Sequence, residues 1–220
     1  GFPLQILLGS NLIESKNAKN IITLASSHNL TAERQFRYPT EYGCPKKGTA
    51  TCTLTACVSM LLTNEKTNIK VSGGLIGKVV NLGINDVNNM GAVMAPACAD
   101  TIYTYLQNAH ETVKDYDLIL TGDLGKVGLN ILKEYYEKVY NERLNKIMDA
   151  GDEIFLETSQ YSGGSGPVCL PLVFLTKILK NKKYKKILIV GSGSLHNPTL
   201  VNQGKEIPAI SHLVKIEVLL

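Results

Sequence analysis

Tryptophan is missing from this chain altogether, and arginine nearly so: three arginines stand against twenty lysines in 220 residues. With no arginine-rich stripe and no interleaving of basic and aromatic residues, the chain lacks the surfaces that grip phosphates and stack bases. Nucleic acid is therefore not expected as a partner. The five cysteines (Cys44, Cys52, Cys57, Cys98, Cys169) form no CxxC pair and are odd in number, which argues against a disulfide framework and against a zinc site. A reducing compartment fits, and no resident metal is expected. No apolar run approaches the ~20 residues of a membrane span, so any membrane role is expected to be peripheral. The net charge of +4 comes from scattered lysines. The one dense basic run, Lys180 to Lys186, reads as a solvated turn ahead of an apolar strand.

What is present is an ordinary globular composition, 44% apolar, enough for the core of one large domain or two small ones. Gly1-Phe2-Pro3-Leu4-Gln5-Ile6-Leu7-Leu8 is apolar without a basic n-region and reads as the middle of an amphipathic helix, so the chain is expected to begin inside a fold. Helical spacing runs over 2–15, and Ile21 to Ala25 predicts a buried strand. Residues 51–62 predict another strand and Asn64 to Asn68 a turn. Ile69 to Ile76 with Val79-Val80 is strand-like. Asn88 to Asn108 predicts a long helix capped by Asn88 or Asn89. Tyr116 to Leu120 predicts a strand, Leu124 to Tyr140 a helix and Asp152 to Leu156 a short strand. Gly163 to Gly166 predicts a tight turn, Pro167 to Leu179 a helix, and Lys186 to Val190 and His212 to Leu219 the last strands. Strands alternating with helices imply crossover units and a covered sheet. Tyr116 to Leu120 and Lys186 to Val190 are expected as central neighbours. Three strand ends carry small residues, Ala25-Ser26-Ser27, Thr121-Gly122-Asp123 and Gly191-Ser192-Gly193. If they converge, they line a pocket with amides and hydroxyls.

The scarcity of arginine makes Arg34 and Arg37, three residues apart after the first strand, conspicuous. A guanidinium grips a carboxylate with two parallel hydrogen bonds and keeps its charge when partly desolvated, so a carboxylate partner is implied. The alternative is that Arg34 pairs with Glu33 or Glu41 and pins a long loop. His28 stands open between a structural role and a place at a ligand. Asp123 stands open between capping the helix that begins at Leu124 and holding the calcium of a chelated ligand. Cys57, Cys98 and Cys169 read as small buried apolar residues with no basic neighbour.

Several segments carry a resemblance in order along almost the whole chain. They are Ser26-Ser27-His28-Asn29 with Thr31 to Gly43, Asn89 to Ala97, Tyr116 to Gly125 with Val127-Gly128, Gly163-Gly164-Ser165-Gly166, and Ile207 to His212. In these the chain resembles the stage V sporulation protein AD family, whose members adopt a thiolase-like fold. The resemblance implies an α/β, thiolase-like layered fold with mostly parallel sheets between helices and an incomplete first half. Residues 1–68 would be the tail of the first thiolase-type half and 69–220 the second. The chain would start just after the position where thiolases keep their nucleophilic cysteine. It departs from the family pattern at Thr51-Cys52-Thr53, at Ala56-Cys57-Val58, at Pro167 and around Ser192 to His196.

The resemblance also implies a role. The family is associated with a sporulation membrane complex that moves dipicolinic acid (pyridine-2,6-dicarboxylate, usually with calcium) into the developing spore, and is thought to bind that ligand. The expected ligand-binding residues are Ser27, His28, Arg34, Arg37, Asp123, Gly164 and Ser165, with none catalytic. No cofactor is expected, and calcium enters only as the chelate of the ligand. Expected partners are dipicolinic acid, the other subunits of the complex, and a second copy through the thiolase-like fold. The expected location is cytoplasmic, peripheral to the inner membrane of the forespore or spore. Condensing enzymes of this fold need a cysteine thiolate plus His, and His or Asn, from two later loops. The corresponding loops here look like Thr121-Gly122-Asp123 and Gly163-Gly164-Ser165, which supply neither imidazole nor amide. A non-catalytic binding protein is the expectation. An acyl-thioester condensing enzyme is the alternative, and a structural subunit without ligand is the third reading.

Overall fold

The computed structural model describes residues 1–36, 47–154 and 161–219, with the side chains of 33–36 outside that description. In chain order the elements are α1 (Phe2–Glu14), β1 (Asn20–Ser27), α2 (Asn29–Phe36), β2 (Thr51–Thr53), β3 (Ala56–Thr63), β4 (Ile69–Val80), α3 (Met90–Ala109), β5 (Leu118–Thr121) and α4 (Gly125–Tyr140). There follow β6 (Ile147–Asp149), α5 (Ala150–Ile154), β7 (Gly163–Ser165), α6 (Cys169–Val173), β8 (Lys186–Ser194), α7 (Pro198–Asn202) and β9 (Ala209–Val218). A single π-turn, Phe174–Ile178, continues α6.

Five strands form the main sheet in the order β4-β9-β8-β5-β6. Its centre is apolar on both faces, and the alternation of side chains along a strand assigns each residue to a layer. Ile119, Leu188, Val190 and Leu213 join the core under α3 and α4, with Ile102, Leu106, Leu132 and Tyr136. Leu118, Leu120, Ile187, Ile189 and Val214 join the opposite core, with Phe2 and Ile6 of α1 and with Leu170, Val173 and Phe174. The result is a helix–sheet–helix sandwich. β5 and β8 are parallel neighbours, Leu118 against Ile187 through Thr121 against Val190, buried at the center of the sheet as expected.

The α/β class and layering hold, whereas the sheet is mixed rather than mostly parallel. β8-β5-β6 is parallel, but β9 runs antiparallel to both β8 and β4. A parallel return needs a crossover that packs on the sheet. Residues 195–208 hold only α7, which buries none of its side chains, so the chain comes back antiparallel. Further expectations are corrected. The strand expected over 152–156 is, as far as it is described, the helix α5, because the Asp149 carboxylate accepts from the N–H groups of Gly151 and Asp152 and starts a helical turn. The turn expected at 163–166 is β7, paired in parallel with β2. The single strand expected over 51–62 breaks at Leu54-Thr55, so that β2 pairs with β7 while β3 pairs with β1. Nor is β1 the buried strand expected over Ile21 to Ala25, since the β1–β3 ribbon buries one face only, with Ile22, Leu24 and Leu61 73%, 57% and 60% exposed.

The α3 helix starts at Asn89, whose side-chain oxygen accepts from Ala92 N at 3.2 Å. At its far end Glu111 accepts from Lys186 Nζ at 2.9 Å, from Lys215 Nζ at 2.8 Å and from the Tyr116 hydroxyl, tying α3 to β8 and β9. Burial pushes the Glu111 carboxyl up, but these donors outweigh it and hold its pKa at about 2. A carboxyl whose folded pKa lies below its unfolded value adds stability above the unfolded value, and that stability is lost as pH falls through the folded one. Between pH 4.5 and about 2, Glu111→Gln should therefore lose less stability than the parent protein. Urea midpoints measured across the acid limb check this, and parallel curves for the two proteins would refute it.

Candidate functional site

Two of the three small-residue strand ends, those of β5 and β8, meet at one cavity, and the end of β1 stays outside its lining. β5 runs out into Gly122-Asp123, β8 into Gly191-Ser192-Gly193-Ser194, and the β2–β7 pair delivers Thr51, Thr53, Ser165 and Gly166. Together with Gly1 and Phe2 at the head of α1, Met90 and Met94 of α3, and Leu170 of α6, they enclose a cavity of about 330 Å³. Two glycines are required by close approach or conformation. A Cβ on Gly191 would lie 2.5 Å from Pro3 Cδ, and Gly166 has φ +95°, a backbone state that side chains disfavour.

The polar centre is a pair of carboxyls, Asp149 buried and Asp123 half-buried. Asp149, at the end of β6, accepts five hydrogen bonds: from Thr121 Oγ1 at 2.7 Å, Leu124 N at 3.1 Å, Gly125 N and Gly151 N at 2.9 Å each, and Asp152 N at 3.2 Å. It thereby pins the end of β5 to the starts of α4 and α5. Burial pushes its carboxyl up, and the donors oppose the shift. Asp123 faces the cavity and accepts from Ser192 Oγ at 3.1 Å. Burial, and then the neighbouring Asp149, push it up to about 7 against the hydrogen bonds from Ser192 and from Gly166 N. Both effects disfavour a second negative charge in one poorly solvated place.

Of the expected site residues, Asp123 and Ser165 line the cavity. Gly164 lies behind the wall, where a Cβ would meet Ile154 Cγ2 at 2.5 Å. Ser27 stands one layer back, donating to Leu54 O at 2.7 Å and neighbouring Gly166. His28 is exposed, with Nδ1 3.3 Å from Thr31 Oγ1, and does not line the cavity. Arg34 lies on α2, whose first residue Asn29 donates to the cavity-lining Thr53 at its carbonyl oxygen, 2.8 Å away. The Arg34 side chain and the whole of Arg37 lie outside the described residues. Asp123 is not the cap of α4, because the first N–H groups there go to Asp149. Sequence reasoning missed Asp149. Its signal was an acid three residues before another, Asp149 and Asp152, the spacing of a helix start.

Of the three cysteines expected to be buried, Cys57 is exposed on the one-sided β1–β3 ribbon, whereas Cys98 and Cys169 are buried, and burial raises both of these thiols, Cys98 to about 12, so neither is a thiolate at neutral pH. Among the described residues no group of three or more His, Cys, Asp or Glu side chains could hold a metal ion. Nor is any helix among them long and apolar enough to cross a membrane.

Solved structures share this architecture. 3-Oxoacyl-[acyl-carrier-protein] synthase III of Aquifex aeolicus superimposes with a TM-score of 0.57 at 13% identity, covering 98% of this chain and 63% of that one. A histidine-to-asparagine variant of Xanthomonas campestris OleA with cerulenin gives 0.59 at 12% identity over 98% and 60%. At such identities they establish the thiolase-like fold. In sequence, residues 3–217 match the profile of Stage V sporulation protein AD. The protein of that name from Bacillus subtilis is 40% identical over 216 residues, 96% of this chain. The chain spans 64% of that relative's length. It belongs to the stage V sporulation protein AD family.

Proposed function

We propose that this protein binds pyridine-2,6-dicarboxylate, free or as its calcium chelate, without transforming it, as a peripheral subunit of the membrane complex that takes the ligand into the developing spore. Family membership supports the setting, and one observation carries the chemistry. By resemblance, the loops that carry the imidazole and amide of condensing enzymes of this fold correspond here to Thr121-Gly122-Asp123 and Gly163-Gly164-Ser165, of which Asp123 and Ser165 line the cavity. A carboxyl group there would oppose an oxyanion rather than stabilise it. The concave site remains useful for a planar acid of about twelve non-hydrogen atoms, since small-molecule pockets start near ~300 Å³.

Arg34 and Arg37 are proposed as the grip on a ligand carboxylate. Replacing either by alanine removes a charge-assisted bond of about 1.5–3 kcal/mol, so affinity should fall roughly ten- to a hundred-fold. Lys182→Ala and Lys183→Ala, which change only a screened surface field, should leave it unchanged. Calorimetry on the full-length protein, with and without calcium, tests this. Unchanged affinity in both arginine variants would leave those residues as loop staples. The second reading, a condensing enzyme, draws on the enzymatic solved neighbours. Turnover of acetyl-CoA or acetoacetyl-CoA above a denatured control would favour it.

A further inference from the structure

The wall of the cavity holds no lysine or arginine among the described residues, and its acidic side chain is Asp123. An ionised Asp123 would repel any acid ligand that entered. The way hydrogen-bond donors are shared between the two carboxyls resolves the conflict. Asp149 takes five donors and is sealed behind the wall. Asp123 takes the Ser192 hydroxyl and the Gly166 N–H and looks into the cavity. Hydrogen bonds given to a carboxylate favour its charged form. Burial raises both carboxyls, and the larger share of donors favours keeping the negative charge of the pair on Asp149 and the proton on Asp123.

We infer that Asp123 captures its ligand as a protonated acid, donating a hydrogen bond to a carboxylate of the ligand, so that binding takes up one proton from solvent. This rests on the dicarboxylate reading and deepens it: one end of the ligand meets the proton on Asp123, and the other is left for cationic groups. The raised pKa of Asp123, about 7, places the effect in the neutral range. Other titratable groups close to Asp123 are Asp149 on β6, Cys98 on α3, Cys169 on α6 and His196 beyond β8. The Gly1 amino group also lies nearby and becomes an amide wherever chain precedes it.

Isothermal titration of the full-length protein with pyridine-2,6-dicarboxylate, in chelator and in buffers of different ionisation enthalpy, tests the inference. Ordinary carboxyls of the ligand stay ionised from pH 6 to pH 8, so the proton counted is the protein's. Binding should weaken about tenfold between pH 6 and pH 8, with uptake approaching one proton per ligand at the upper end. Asp123→Asn keeps a donor without a titrating proton, and should bind with no pH dependence and no proton uptake. A flat affinity with no proton uptake in the parent protein overturns the inference while leaving the dicarboxylate reading in place. Proton release on binding the calcium chelate, with none taken up for the free acid, overturns it in favour of Asp123 as a calcium ligand. No binding heat at any pH removes the dicarboxylate reading itself.

Discussion

Asp149→Ala should unfold the protein under conditions where the parent is stable. The carboxylate accepts from four backbone N–H groups and the Thr121 hydroxyl, drawn from the end of β5, the start of α4 and the start of α5, and of these donors Gly151 N also reaches Gly122 O and Thr121 Oγ1 also reaches Met148 O. Asp149 itself is 1% exposed, so water does not replace it without opening the structure. Each orphaned buried donor costs about 1–3 kcal/mol. A few such losses equal much of the roughly 5–15 kcal/mol that holds a domain together. Asp149→Asn keeps the shape and one acceptor oxygen but turns an NH2 toward backbone donors, and should be destabilised by less. Urea unfolding followed by circular dichroism orders the three proteins. A midpoint for Asp149→Ala equal to that of the parent would remove Asp149 as the keystone of the site.

Gly91→Ala and Gly128→Ala should each cost about 1–3 kcal/mol by overpacking. Here α3 crosses α4 backbone to backbone. A Cβ on Gly91 would lie 2.7 Å from Gly128 Cα and 2.7 Å from Leu124 O, and a Cβ on Gly128 would lie 2.6 Å from Gly91 Cα. No side-chain rotation relieves contacts made by main chain, so the helices must separate and loosen the core that Leu132 and Tyr136 form against Ile102 and Leu106. The gain in helix propensity from glycine to alanine, about 0.5–1 kcal/mol, opposes the loss without cancelling it. Gly48→Ala, with no atom within 4 Å of the added Cβ, is the control. Thermal melts of the three variants decide the matter, and a gain in stability at either crossing position would show that the helices move apart freely.

How far the site could be read depended on where its interactions come from. The ends of β5 and β8 were legible because an apolar run followed by glycine and serine marks a buried strand reaching an edge, and these ends do form the wall. Ser27 was legible as a strand end, but its hydroxyl turns to Leu54 O, a contact made by the break between β2 and β3 that no local pattern announces. Asp149 escaped because its strand is three residues long and three of its five donors lie 24 to 28 residues away.

By itself the sequence determined the layers, the central pair β5 and β8, the length of α3 and the family. Periodicity and apolar runs are local properties, and a match spread over residues 3–217 needs no coordinates. Only the tertiary structure decided that β9 returns antiparallel, that Asp149 rather than Asp123 anchors the start of α4, and that a buried acid stands behind the acid that faces the cavity. Strand direction depends on what the connecting segment can cover. The charge of a carboxyl depends on the donors and the neighbouring acid that the fold brings to it from distant parts of the chain.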